Sequence, residues 1–85
     1  MAREPASLRI SAMVEPDERN RTLEIRAESA GYATGSRMQL DGLRAQRFWE
    51  TEFRDVPHGT YEVTATVIGI EGRRAAALRV VVITP

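Results

Sequence analysis

An all-β, two-sheet antiparallel sandwich of six or seven short strands is the fold this sequence predicts, and three observations predict it. Apolar residues recur at every second position in several short runs. Clusters of Gly, Pro, Asp and Asn interrupt those runs at intervals of about eight to twelve residues. No segment combines a 3.6-residue apolar period with helix-capping residues, which excludes helical and βαβ domains.

The elements follow in order. Residues 1–6 carry no pattern and are expected to be a disordered extension, leaving 7–85 as a single domain. In "LRISAMV", Leu8, Ile10, Ala12 and Val14 alternate with Arg9, Ser11 and Met13, the signature of a half-buried strand. The turn cluster "EPDERN" follows, and then Leu23, Ile25 and Ala27 alternate with Glu24, Arg26 and Glu28. The outer face of this second strand bears opposite charges, and cross-strand Arg–Glu pairs on such a face help register by up to ~1 kcal/mol each. Residues 29–36, "SAGYATGS", read as a long loop of small residues, followed by a third strand from Arg37 to Leu40 and an Asp41-Gly42 turn. Trp49, Thr51 and Phe53 then share one parity against Phe48, Glu50 and Glu52, and the Trp49 side is expected to be the buried one. Tyr61, Val63, Ala65 and Val67 alternate with Glu62, Thr64, Thr66 and Ile68, "GIEG" makes a hairpin turn, and the run from Ala75 to Thr84 is apolar on both parities.

The stretch "FRDVPHGTYEVTATVIGIEGRRAAALRVVV" has an apolar residue, a Pro-Gly corner, Tyr-x-Val, a Gly-bearing turn and a closing apolar strand. It resembles the last hairpin of immunoglobulin-like modules, including the PKD-type and fibronectin type III-like domains of bacterial multidomain proteins. The resemblance implies an immunoglobulin-like sandwich in which Tyr61 is the tyrosine of a corner, its ring inward and its hydroxyl bonded to backbone a few residues upstream. Pro57, with no N–H to donate, ends the preceding strand, and Gly59 supplies a backbone angle that a side chain opposes.

Composition narrows the function. With 85 residues there is material for one domain with a thin core. The formal net charge is zero, which removes the general attraction that nucleic-acid and anionic-membrane binders use, so neither partner is expected. The cysteine count is also zero, so there is no disulfide framework and no thiolate metal site. No apolar run approaches the ~18 residues of a membrane-spanning helix, and "MAREPAS" lacks the apolar core of a signal peptide. The expected setting is therefore the cytoplasm, or an extracellular, periplasmic or cell-surface one if the chain is a module excised from a larger exported protein.

Few residues invite chemistry. His58 is the only histidine, and without a nucleophile partner it reads as an exposed turn residue. Glu15, Asp17 and Glu18 crowd one loop but lack the ligand spacing of a calcium loop, so no metal or other cofactor is expected. "GYATGS" lacks the lysine and the following helix of a phosphate-binding loop. Tyr32, Phe48 and Trp49 are candidate glycan contacts, since aromatic faces stack on sugars and the resembled modules accompany glycan-active enzymes. Ile68, Val81 and Ile83, with Ala77 beside them, are taken as the outer parity of the closing hairpin. They are candidates for an interface with a neighbouring domain, a protein partner or a second copy of the chain, the alternative being ordinary surface. No acid, base and nucleophile set can be assembled, so the expected function is a non-catalytic structural or protein-interaction module, with a carbohydrate-binding accessory domain as the alternative.

Overall fold

The computed structural model describes residues 2–85 as a two-sheet, all-β sandwich. Its strands are β1 (Ala2–Arg3), β2 (Ala6–Met13), β3 (Asn20–Glu28), β4 (Ala33–Gln39), β5 (Phe48–Val56), β6 (Gly59–Gly69) and β7 (Gly72–Thr84), with one 3-10 turn at Gly42–Arg44. The larger sheet has the order β1-β7-β6-β3-β4 and the smaller one pairs β2 with β5. All pairings are antiparallel except that of β1, which lies parallel to the end of β7.

Alternation along each strand decides which face is buried. Across the larger sheet Met38, Leu23 and Val67 lie in one row and Ser36, Ile25 and Ala65 in the next, so the inner face is laid down by register. From the smaller sheet Leu8 stands opposite Phe53, and these close over Ile25, Ala27, Tyr61 and Val63 to form the core. The outer face of the larger sheet carries the expected charge pairing: Glu24 stands opposite Arg37, and their side chains meet at 2.8 Å.

The corner after β5 is a tyrosine corner. Tyr61 is fully buried and its hydroxyl donates to the Pro57 carbonyl at 2.9 Å. Gly59 holds φ +154°, and a Cβ there would press on Ser29 at 3.3 Å and on the Tyr61 ring at 3.4 Å.

Three expectations are corrected. Residues 2–6 are not a disordered extension: β1 pairs with Ile83 and Thr84, the Glu4 N–H donates to the Thr84 carbonyl at 2.7 Å, and Ala6 is buried at the start of β2; Met1 lies outside the described residues. The long loop shrinks to four residues, Ser29, Ala30, Gly31 and Tyr32, because Ala33–Ser36 are strand, paired with Ile25–Glu28. Its small, polar side chains concealed the strand, which lies at the sheet edge where nothing apolar is demanded.

The third correction concerns face. Tyr61 stands opposite Val81, and Gly59 opposite Ile83, so Val81 and Ile83 share the inner face with the core, and Ile83 is only 2 % exposed. The outward row of β7 is Leu78, Val80 and Val82. Parity was ambiguous because β7 is apolar on both faces, and only pairing with β6 resolves it.

Candidate functional site

The feature that stands apart is the free edge of β7. Pairing with β6 runs the whole length of the strand, whereas β1 covers the other edge only at Ile83 and Thr84. Backbone groups of Gly72–Val82 on that side have no strand beside them among the described residues. On the outward face Leu78 is 52 % and Val80 63 % exposed.

The inward face is also open, for a geometric reason. Strands are spaced ~4.8 Å apart, so a two-stranded layer is about half as wide as the four long strands it must cover. Burial is deepest on the inward residues of β3 and β6, while those of β4 are half-buried and β7 is open from Ala75 to Arg79, its end at Ile83 being covered. Where β4 is uncovered its inward residues include Thr34 and Ser36, suited to water. On β7 the inward residues are Ala75, Ala77, Arg79 and Val81, mostly apolar. A strand apolar on both faces is the pattern of a buried strand, not of a margin.

Between the free edges of β2 and β7 the sandwich therefore gapes into a groove of about 330 Å³. Ile10 and Ala12 form one wall, Ala75 and Ala77 the other, and Val63 and Val67 lie on the floor. Arg79 lines the same groove and donates only to the Leu78 carbonyl, at 2.9 Å. Arg79 and Arg73 meet no carboxylate among the described residues, in a molecule where most described arginines do.

Of the interface residues read from sequence, Ile68 is half-buried on the outer face of β6, while Val81 and Ile83 belong to the inner face. The residues that reasoning missed are Leu78, Val80 and Val82. Their signal was present in the sequence as the second apolar parity of the closing strand.

The three candidate glycan contacts are not brought together. Phe48 and Trp49 begin β5, whereas Tyr32 packs edge-on against Tyr61, with ring centroids 6.3 Å apart, beside the Pro57 corner that follows the end of β5. The nine residues of β5, from Phe48 to Val56, span ~26 Å from end to end. Trp49 is half-buried against the core and its indole N–H donates to the Gln46 carbonyl at 2.9 Å. Phe48 faces outward beside Met13, 53 % exposed.

His58 is exposed and paired. Its backbone N–H donates to Glu4 Oε2 at 2.9 Å, and its Nδ1 lies 3.1 Å from the same oxygen. These contacts, the backbone one foremost, hold the Glu4 carboxyl below its ordinary range. The pair ties the segment after β1 to the corner before β6, a structural role.

The acidic loop is likewise closed by internal partners. Asp17 accepts from the Arg19 backbone N–H at 2.8 Å and from its guanidinium at 2.9 and 3.0 Å, and from Arg74 at 3.3 Å. The Arg19 contacts hold the Asp17 carboxyl far below the usual carboxylate range, with a smaller contribution from Arg74. Arg74 also donates to Asn20 Oδ1 at 2.9 Å, and Asn20, buried, donates to the Glu15 carbonyl at 3.1 Å. Among the described residues no group of three acidic or histidine side chains converges as a metal site would require. No helix among them is long and apolar enough to cross a membrane. Comparison of the chain with family models, curated proteins and solved structures returns no match.

Proposed function

We propose that this domain is a non-catalytic protein-interaction module of immunoglobulin-like type, acting within a larger protein or assembly through the β7 margin. The observation that carries this reading is a thirteen-residue strand, largely apolar on both faces from Ala75 to Ile83, left at an open edge. Isolated exposed apolar residues need no explanation, but a contiguous row on an unpaired strand marks an interaction surface or an aggregation hazard.

The immunoglobulin-like assignment is supported by connectivity and by the corner. The order β7-β6-β3-β4 over β2-β5 follows the G-F-C-C′ and B-E strands of that sandwich, with β1 in place of a first strand beside G. The Tyr61–Pro57 hydrogen bond takes the place of its tyrosine corner. A glycan site would need an aromatic platform, and Tyr32 lies a strand length from Phe48.

A photo-crosslinking amino acid placed at Val80 and, separately, at Arg9 on the outer face of the smaller sheet tests the reading in cells that make the parent protein. The Val80 probe is expected to yield a discrete adduct with a protein or a neighbouring domain, lost on Leu78→Lys, while the Arg9 probe yields none. Equal labelling from both positions would refute it.

A further inference from the structure

We propose that the β7 edge is a strand-addition site, which takes an extended peptide segment bearing alternate apolar side chains and one carboxylate. This rests on the interaction-module reading above and names the chemistry of the partner.

Three features converge on an extended occupant. Gly72–Val82 present a row of backbone donors and acceptors that only another strand satisfies in sequence. The groove beside that edge runs between β2 and β7, so a strand laid along β7 points every second side chain into it, onto Ala12, Ala75 and Ala77. The remaining side chains fall beside Leu78, Val80 and Val82 on the outer face. Small alanine walls leave room for branched apolar side chains from the occupant.

Charge chooses among occupants. Arg79 points toward the groove from the edge and has no carboxylate, so it opposes an incoming strand that is purely apolar or basic and rewards one with a carboxylate at the facing position. Glu62 does not serve it, because Glu62 stands opposite Val80 on the other face.

The same residue counts against a second copy of this chain. Two β7 strands paired about a two-fold axis at Leu78 or Val80 bring the two Arg79 residues together as diagonal neighbours ~7–8 Å apart. An axis at Arg79 puts them directly opposite. Each of these central registers sets like charges together with no acid to separate them.

The direct test uses the whole chain, labelled with 15N, and two ten-residue peptides of alternating valine and threonine. The peptides differ only at one central groove-facing position, glutamate in one and lysine in the other. The glutamate peptide is expected to slow amide exchange along Gly72–Val82 and to bind about tenfold tighter than the lysine peptide. Arg79→Gln, an exposed change that leaves the fold intact, should erase most of that preference. Absence of protection along β7, equal affinity for the two peptides, or a preference unchanged in Arg79→Gln would each overturn the proposal. If β7 is unprotected by peptide while the Val80 crosslink still forms, strand addition fails and the broader interaction reading stands. Self-association of the chain without peptide, with β7 protected, would also overturn it in favour of the second copy.

Discussion

Tyr61 shows how one hydroxyl organises a corner. Its ring fills the core while its oxygen reaches the Pro57 carbonyl, so the chain leaving β5 is fastened to the strand that follows. Tyr61→Phe keeps the packing and removes that bond; a loss of about 1 kcal/mol is expected from the urea midpoint, and more if the Pro57 carbonyl is left dry. Asp17 acts through charge instead. Its folded-state pKa is depressed below the ordinary value of 3.8 by Arg19, so its contribution to stability is complete above that pH and is lost as pH falls beneath it. The melting temperature of the native chain should therefore fall more steeply between pH 5 and 2 than that of Asp17→Asn, with the pH values chosen to bracket ordinary carboxylate titration. The Arg74 contact to Asp17 could not be read from sequence, since Arg74 lies 57 residues away and meets it only through folding.

At the scale of elements, legibility followed periodicity. The strands β2, β3, β5 and β6 were evident because their inward residues are mostly apolar and their outward ones mostly polar or charged, and the hairpin at Gly69–Gly72 was marked by its glycines. The second half of β4 was read as a strand, but its first half, Ala33–Ser36, was hidden because an edge strand imposes no apolar alternation, and β1 was hidden because two residues cannot display a period. Gly69 shows a constraint that sequence marks only as a turn. A Cβ there would lie 2.6 Å from the Arg19 carbonyl and 2.7 Å from the Arg74 side chain. Gly69→Ala should cost about 2 kcal/mol in chemical denaturation and loosen the Arg74–Asp17 contact, because the backbone of the facing loop cannot yield as a side-chain tip could. The outer face holds the opposite case: Glu28 and Glu62 are direct cross-strand neighbours, so Glu62→Gln is expected to raise stability by ~0.3 kcal/mol, read as a small increase in melting temperature.

For the whole molecule, the governing fact is the mismatch in width between a two-stranded layer and the sheet it covers. The core concentrates over β3 and β6, and the margins are only partly covered; β4 meets solvent largely on polar residues, whereas β7 meets it on a mostly apolar run from Ala75 to Val80. The fold class was legible in the pattern of alternation, while the candidate site was legible only as a strand with two apolar parities, because which parity faces out depends on register with β6. The carbohydrate alternative can be checked at this scale too: emission of the half-buried Trp49 should not change on adding a panel of polysaccharides, and quenching by one of them would restore it. The central claim is that β7 is an open margin awaiting cover. Residue-resolved amide exchange of the isolated chain tests it most directly. Amides at the centres of β3 and β6 should exchange slowly, while alternate amides along Gly72–Val82, those directed away from β6, should exchange fast; slow exchange at every residue of β7 would contradict the account.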